Sequence, residues 1–319
     1  MILVCGAIAD TVTELVCARL VDCGFDFRLV DLGRFPRDHA MDVSWSSGRP
    51  EGVLAGPGWR LDLRDIDAVF ARWPGPETRA GHAELEPQQR LAAMSECDGA
   101  LMDLLEELPC LVMNRVAGGL SNHSKPLQAL AIERAGLATP RTLVTTDPDA
   151  ARDFVQSLGG AVIYKSISGV RSIVRRVGKR QLARLALVRH GPCQLQEYLP
   201  GRNVRVHTVG DALFATAIVS DSVDYRYASR ERKSAALEPT DLPADIAAAC
   251  RRLARRLGLV LSGIDLKQTP DGRWYCFEIN PAPGFIYYER ATGQPISLAV
   301  AELLQSRSRA PSPAASVEA

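Results

Sequence analysis

The segment Gly263–Pro281, GIDLKQTPDGRWYCFEINP, constrains the fold most strongly, because it predicts a β-hairpin with chemically unusual strands. Two strand-like runs, Leu261–Lys267 and Trp274–Asn280, flank the triplet Pro270-Asp271-Gly272. This triplet is typical of a tight turn, since Pro presets φ and Gly accepts backbone conformations that other residues avoid. The segment therefore predicts two antiparallel strands that pair side by side and are joined by this turn.

The predicted hairpin carries three oxygen ligands. Glu278 and Asn280 share one face because side chains alternate along a strand, and closure of the turn places Asp265 opposite Cys276–Glu278. Two carboxylates and a carboxamide, without Cys or His, favour Mg²⁺ or Mn²⁺ over Zn²⁺. A Mg²⁺ ion with few protein ligands completes its shell with water and nucleotide phosphates. The hairpin thus predicts a metal–phosphate site, although a surface hairpin with solvated acidic residues explains the spacing equally well.

Composition excludes several classes of partner. The 319 residues carry 38 Lys and Arg against 37 Asp and Glu, so no bulk charge attracts nucleic acid or a membrane surface. The eight cysteines form no CxxC pair, and the apolar opening MILVCGAIA lacks the basic region of a signal peptide. We therefore expect a cytoplasmic protein that binds neither nucleic acid nor a membrane.

Alternating strands and helices at the start of the chain predict a parallel sheet, with strands at Ile2–Ile8, Phe27–Leu32 and Ala68–Trp73. Between them, His39–Asp62 is rich in Gly, Pro and Ser and predicts turns and short edge strands. Further along, the periodicity predicts other elements and one irregular stretch. These are the helices Glu86–Leu108, Lys179–His190, Pro243–Leu257 and Ile296–Leu304, the strand Arg171–Val177 and a polar loop, Asp221–Leu242.

Two lysines are candidate phosphate ligands. Lys165 ends the apolar strand AVIYK and leads into SISGVRS, where Ser168 and Gly169 offer a small-residue loop with backbone N–H groups. Lys125 stands at a predicted helix start, after the N-cap residue Ser124. A lysine whose stem packs on the protein while its head stays in water would explain either position as well.

Two further groups of residues are candidates for nucleotide and substrate contacts. The strand end Glu197-Tyr198-Leu199 could present backbone groups to a purine and a carboxylate to a ribose. Alternation places Arg205 on the same strand face as Asn203 and His207, and Arg226 lies at the start of the predicted polar loop. Arginine binds carboxylates and phosphates as a fork, so either could neutralise a transferring phosphoryl group. An ordinary strand end and two surface arginines remain alternative interpretations.

In chain order, these pieces resemble the ATP-grasp superfamily. The similar segments are Lys125 before a helix, Lys165 after a strand, QEYLPG, VRVHTVG, DYR, GIDL and FEINP. The branch that they resemble most holds glutathione synthetase, the glutamate ligases that modify a ribosomal protein, and the ATP-grasp maturases of ribosomal peptides. The resemblance covers roughly residues 112 to 304, and seven motifs in the correct order favour the metal site over the solvated hairpin.

The resemblance implies an α/β (α+β) ATP-grasp fold in which two α+β subdomains sandwich ATP. Its parts would be a pre-ATP-grasp αβ domain at 1–115, a small lid subdomain at 116–192, a C-terminal subdomain with the metal site at 193–305, and a disordered tail at 306–319. The substrate pocket would come from Asp221–Leu242 and Phe285–Glu289.

The resemblance also implies roles for the candidate residues. ATP would be contacted by Lys125, Lys165, Ser168, Gly169, Glu197, Tyr198 and Leu199. Mg²⁺ or Mn²⁺ would be held by Asp265, Glu278 and Asn280. Arg205 and Arg226 would be the catalytic arginines.

The implied activity is an ADP-forming carboxylate–amine ligase that acts on an amino acid or peptide through an acyl phosphate, and a homodimer would fit the family. A kinase on the same scaffold and a nucleotide-binding module without catalysis are the alternatives.

Overall fold

The computed structural model describes residues 1–46, 48–73, 85–167, 174–219 and 236–308. The strands are β1 (Ile2–Gly6), β2 (Phe27–Asp31), β3 (Ala40–Ser46), β4 (Arg49–Gly56), β5 (Trp59–Asp62), β6 (Ala68–Arg72), β7 (Leu111–Met113), β8 (Thr142–Thr145), β9 (Val162–Lys165), β10 (Arg175–Arg176), β11 (Cys193–Glu197), β12 (Arg202–Val209), β13 (Ala212–Val219), β14 (Ala236–Pro239), β15 (Leu261–Gln268) and β16 (Trp274–Asn280). The helices are α1 (Thr11–Asp22), α2 (Pro87–Glu107), α3 (Val116–Gly119), α4 (Lys125–Arg134), α5 (Pro148–Ser157), α6 (Lys179–Leu182), α7 (Ala244–Arg256), α8 (Ile286–Thr292) and α9 (Ile296–Arg307). None of these described helices combines the length and the apolar content that crossing a bilayer requires.

The N-terminal part is the parallel sheet that the sequence predicts, in the order β2-β1-β6-β7. Side chains alternate along β1, so its two faces are covered by different helices. Val16 of α1 shares a core cluster with Val4 on one face. Leu104 of α2 shares another cluster with Leu3 on the opposite face. The sheet is therefore doubly wound, with a helix packed on either side.

The stretch predicted as turns and short edge strands, His39–Asp62, is instead an antiparallel sheet of three described strands in the order β3-β4-β5. Gly48 and Gly58 have positive φ angles of 77° and 76° and form the two turns between these strands. The glycines that suggested irregular backbone thus mark hairpin turns. Leu54 and Leu61, which are buried against the α2 side of the parallel sheet, hold the small sheet in place.

A second antiparallel sheet has the described order β10-β9-β11-β8, and α5 covers one of its faces. The strand predicted at Arg171–Val177 is shorter, since β10 holds two residues and residues 168–173 lie outside the described part. The helix predicted at Lys179–His190 is divided into α6 and a 3₁₀ turn at Leu185–His190. Only Leu185 of this stretch is buried, so few apolar contacts support a continuous helix.

The third described sheet has the order β14-β13-β12-β15-β16 and is antiparallel throughout. Its strand β14 lies within the stretch predicted as an irregular loop, Asp221–Leu242, where residues 220–235 lie outside the described part. Helix α8 was not predicted, and α9 runs past the predicted end at Leu304 into the expected tail. Residues 309–319 of that tail are outside the described part.

The domain boundaries inferred above remain predictions, but strand pairing suggests one shift. Strand β11 pairs with β8 and β9 of the second sheet, whereas the expected boundary after residue 192 would separate it from them. A boundary after residue 199 keeps each sheet whole.

Asn114 joins the end of the parallel sheet to the third sheet. Its Nδ2 donates to the carbonyl oxygens of Leu261 and Pro281, each at 2.6 Å. Its Oδ1 accepts from the backbone N–H groups of Val260 at 2.8 Å and Leu261 at 3.0 Å. One amide side chain thus holds the start of β15 and the residue after β16, which are the two ends of the hairpin described below.

Replacing Asn114 by Asp should lower the free energy of unfolding by about 2–4 kcal/mol. The carboxylate keeps the size of the amide and both acceptor contacts, but it faces two carbonyl oxygens that lose their donors. Urea denaturation of the variant, compared with Asn122→Asp in the following 3₁₀ turn Leu120–His123, measures the effect. Equal stability of the two variants would contradict this role of Asn114.

Candidate functional site

Three side chains that carry charge line up across the third sheet. The strand register pairs Arg205 of β12 with Asp265 of β15, and Asp265 with Glu278 of β16. Residues that are directly paired in an antiparallel sheet place their side chains on the same face. Arg205 Nη1 donates to Asp265 Oδ1 at 2.6 Å, and the arginine side chain is only 8% exposed. The hairpin therefore places its two carboxylates side by side, with a buried guanidinium against one of them.

Gly263 makes room for that guanidinium. It pairs with His207 and Asn280, one step along the same face from the row of charged residues. A Cβ atom built on Gly263 would lie 2.1 Å from Nη2 and 2.5 Å from Cζ of Arg205. Any side chain at this position would overlap the arginine, so the glycine is required by close approach.

The register of the hairpin changes beside the carboxylates. Asp265 pairs with Glu278 whereas Leu266 pairs with Cys276, so Phe277 is the extra residue of a β-bulge on β16. Bulges bend a strand and redirect side chains, and they occur often next to active sites. The bulge turns Phe277 into the cavity described next.

A cavity of about 110 Å³ lies between the second and third sheets. It brings together six of the residues that the sequence singled out, namely Lys165, Glu197, Tyr198, Leu199, Asp265 and Glu278. The volume is well below that of a typical pocket for a whole drug-sized ligand. Residues from β9, the strand end of β11 and the hairpin thus meet around one space.

The two predicted lysines lie on either side of one turn. Lys165 ends β9 and is 7% exposed. Lys125, the first residue of α4, points its ammonium group at the carbonyl oxygens of Ser166 at 3.2 Å and Ile167 at 3.3 Å. The segment that follows Lys165 is therefore bordered by two cations. Ser168 and Gly169, predicted to bind phosphate from this loop, lie outside the described residues.

The remaining predicted residues have separate positions. Asn280 follows Glu278 by two residues on β16, and its Oδ1 accepts from the backbone N–H of Ala282 at 2.9 Å. Arg226 lies outside the described part of the chain. Asn280, Arg205 and Lys125 border the site without lining the cavity.

The strand end Glu197-Tyr198-Leu199 was predicted to contact a purine, but two of its backbone groups already form hydrogen bonds within the protein. The backbone N–H of Tyr198 donates to the carbonyl of Ala161 at 2.8 Å, and the carbonyl of Leu199 accepts from Lys267 Nζ at 3.1 Å. The guanidinium of Arg176 lies over the Tyr198 ring, 3.9 Å from its centroid. This geometry places a flat, cation-covered aromatic ring at the edge of the cavity.

Lys267 is a site residue that the sequence interpretation missed. It lines the cavity, and burial lowers its pKa from the ordinary lysine value. Its ammonium group lies 5.6 Å from the centroid of the Phe277 ring. Strand periodicity could have identified Lys267, because it follows Asp265 by two residues and therefore lies on the same face of β15.

His207 was also missed. It is fully buried beside Arg205 on β12, and its ring lies 4.8 Å from that of Tyr288. Neither ring nitrogen makes a hydrogen bond within the described part of the chain. Burial and the charge of Arg205 hold the pKa of His207 well below its usual value, while the nearby Gly284 backbone acts weakly in the opposite direction. The imidazole is therefore neutral in the folded protein.

The pKa of His207 predicts a loss of stability on acidification. Below about pH 6.5 the unfolded chain binds a proton at this position and the folded protein does not, so stability falls by up to about 1.4 kcal/mol per pH unit. His207→Phe keeps a ring against Tyr288 and removes the titration. Denaturant unfolding between pH 7.5 and 5.5 should therefore show a shallower pH dependence in His207→Phe than in the wild type. Parallel curves would contradict the assignment.

The donor set fits a hard divalent cation. The described residues contain no group of three or more His, Cys, Asp and Glu side chains that could hold a metal ion. Asp265 and Glu278 instead supply two adjacent carboxylates, with the amide of Asn280 next along β16. A Mg²⁺ ion that shares its shell with phosphates and water needs only one or two protein carboxylates. The chemistry of these residues matches that requirement.

Comparison with known proteins identifies the family of the chain. A family described as the RimK-like ATP-grasp domain matches residues 121–304. A probable alpha-L-glutamate ligase of Shewanella loihica is 24% identical over 187 residues, which are 56% of this chain and 62% of that protein. The chain thus spans less than two thirds of that relative.

Solved structures match over nearly the whole chain. The macrocyclase MdnC of Microcystis aeruginosa, bound with the precursor peptide MdnA, has a TM-score of 0.80 and 26% identity, covering 96% of this chain and 99% of MdnC. The ATP-grasp ligase PsnB, complexed with minimal precursor, Mg and ADP, has a TM-score of 0.79 and 26% identity, with 97% of both chains covered. With more than half of its length matched by the family, this chain belongs to the RimK-like ATP-grasp domain family.

Proposed function

We propose that this protein is an ATP- and Mg²⁺-dependent carboxylate–amine ligase that releases ADP and forms an amide bond. The observation that carries the proposal is the row Arg205–Asp265–Glu278, which borders a cavity that also holds the buried Lys165. The row supplies two carboxylates as metal ligands and one guanidinium, and Lys165 adds an ammonium group at the same cavity. Transfer of a phosphoryl group needs this combination of charges.

The roles of the residues follow from their positions. Lys165 and Lys125 border one turn and would bind nucleotide phosphates, since ammonium groups donate strongly to phosphate oxygens. Tyr198 and Leu199 would line the pocket that holds the adenine base of ATP. Asp265, Glu278 and Asn280 would hold Mg²⁺, which when bound would neutralise phosphate charge.

Arg205 would orient Asp265 through its 2.6 Å contact and stabilise negative charge that develops during transfer. The roles that the resemblance implies for Arg226, Ser168 and Gly169 remain predictions.

The substrate carboxylate would accept the γ-phosphoryl group of ATP, with release of ADP, and an amine would then displace phosphate. A carboxylate is a poor electrophile, and phosphorylation supplies the leaving group. The names of the relatives support an amino acid or a peptide as substrate, since one is a glutamate ligase and others are complexes with precursor peptides. The cytoplasmic location and the homodimer remain predictions.

The proposal is tested by ADP release from Mg²⁺-ATP with a panel of amino acids and peptides, followed by mass spectrometry of the products. One ADP released per new amide bond is the expected result. ADP release with a phosphorylated product and no amide would instead indicate a kinase. ATP hydrolysis or binding without any product across the panel would contradict the ligase proposal.

Lys165→Ala should weaken ATP binding about 10- to 100-fold, because a charged hydrogen bond to phosphate contributes roughly 1.5–3 kcal/mol. Isothermal titration calorimetry with Mg²⁺-ATP measures the change. Lys179→Ala, which removes an exposed lysine from the same part of the chain, is the matched control. Unchanged affinity in Lys165→Ala would exclude the phosphate role.

A further inference from the structure

A second, larger concavity lies between α1 and α8, outside the cavity described above. This groove has a volume of about 660 Å³. One wall is the outer face of α1 with Glu14, Leu15 and Ala18, and the other is α8 with Ile286, Tyr287 and Arg290. The spacing of three and four residues places each of these sets on one side of its helix. The groove is thus a channel between two helices, with an apolar strip and charged rims.

The groove opens where a doubly wound sheet binds ligands. Chain order reverses between the neighbouring strands β1 and β6, since β1 continues to β2 on one side and β6 to β7 on the other. Ligands of such sheets bind beyond the carboxyl ends of the strands at this reversal. Arg72, the last residue of β6, lines this end of the groove.

Arg72 also links the groove to the candidate site. Its Nε donates to Asp10 Oδ1 at 2.7 Å, and its Nη1 donates to the carbonyl of Ala282 at 3.2 Å. Ala282 follows Asn280 by two residues, and Gly284 lines the groove. A chain lying in the groove therefore reaches the segment that leaves the proposed metal ligands.

The charges on the two walls differ in sign and are not paired with each other. Within the described part of the chain, neither Glu14 nor Arg290 forms a salt bridge, whereas Arg72 is compensated by Asp10. Tyr287 is 58% exposed and lines the groove, so its ring is accessible to an occupant. An occupant with one apolar and one acidic side chain would cover Tyr287 and pair with Arg290. Glu14 would repel the acid from the opposite wall.

The dimensions favour a peptide over a single amino acid. The α1 wall from Thr11 to Ala18 is about 10 Å long, which an extended chain spans with about three residues. The groove volume also lies in the range of pockets that hold drug-sized ligands.

We propose that the groove between α1 and α8 binds the peptide substrate of the ligase over about three residues. An apolar side chain packs on Leu15, Ala18 and Tyr287, and a neighbouring acidic side chain pairs with Arg290. This inference rests on the proposed function and deepens it by selecting peptides as the substrate class.

The test uses fluorescence anisotropy of the full chain with Mg²⁺-ADP and three fluorescein-labelled pentapeptides, Gly-Glu-Phe-Gly-Gly and its versions with Gln or Lys for Glu. The wild type should prefer Glu over Lys by about fivefold, the effect of one exposed ion pair. Arg290→Glu should reverse that order. Ala18→Trp should weaken all three peptides at least tenfold by filling the groove, whereas Ala92→Trp on the exposed side of α2 should bind them as the wild type does.

Absence of binding by all three peptides, unchanged binding in Ala18→Trp, or the same order in Arg290→Glu would each overturn the groove assignment. Because anisotropy requires no turnover, the groove and the proposed ligase activity can fail independently. Peptide binding without ADP release would support the groove and contradict the activity. Amide formation with free amino acids, in a protein that binds no peptide, would support the ligase activity and contradict the groove assignment.

Discussion

Glu278→Gln should lower Mg²⁺-dependent ADP formation by at least about 100- to 1,000-fold while the protein stays folded. The amide has nearly the volume of the carboxylate and keeps the position on β16, but it removes one of the two negative charges that the hairpin presents to the cavity. A neutral carbonyl oxygen is a much weaker ligand for a hard cation than a carboxylate. Initial rates of ADP release, measured over a range of Mg²⁺ concentrations, test the prediction.

Glu302→Gln is the matched control for this change, since Glu302 is exposed on α9, away from the cavity. It should retain the wild-type rate and melting temperature. Restoration of the Glu278→Gln rate by high Mg²⁺ would indicate weakened metal affinity. A wild-type rate at all Mg²⁺ concentrations would show that Glu278 is not a metal ligand.

Gly263→Ala should be the most damaging small substitution in the site. The new methyl group would overlap the guanidinium of Arg205, whose 8% exposed side chain has little free space to move into. Arg205 must then leave Asp265, or β12 must separate from β15. We expect the free energy of unfolding to fall by about 2–4 kcal/mol, because overpacking and loss of a buried charge pair act together. ADP formation should fall at least tenfold.

Gly191→Ala provides the control for the loss of a glycine. A Cβ atom there meets no atom within 4 Å, and the φ angle of 178° is extended backbone that any residue adopts. Urea denaturation and ADP release should both remain at the wild-type level in this variant. Equal behaviour of Gly263→Ala and Gly191→Ala would mean that Arg205 has no fixed position and no role in orienting Asp265.

Local sequence was sufficient where one turn or one strand decides the outcome. The Pro270-Asp271-Gly272 turn and the two-residue period of the strands correctly predicted a hairpin in which Asp265 lies opposite Cys276–Glu278, and the structure pairs Asp265 with Glu278. Alternating strands and helices correctly predicted that β1, β2 and β6 pair in parallel, although not their order. Turn glycines were misleading at His39–Asp62, because the same residues mark both loops and tight hairpins.

Contacts between separate elements could not be predicted in this way. Period two shows that Arg205 shares a face with His207, but it does not show that β12 pairs with β15. The need for glycine at position 263 appears only when the guanidinium is placed beside it. In the same way, α8 is short and depends on its packing against α1 and β14, which its own sequence does not reveal.

The sequence by itself determined the hairpin, the order of the oxygen ligands along it and the lysine at the end of β9, since each depends on neighbours a few residues away. The tertiary structure alone decided that Lys165 and Asp265 border one cavity, that Gly263 admits Arg205, and that α1 and α8 enclose a groove. The physical reason is that side-chain periodicity sets which face of an element is buried. Which element covers that face depends on the packing of the whole chain.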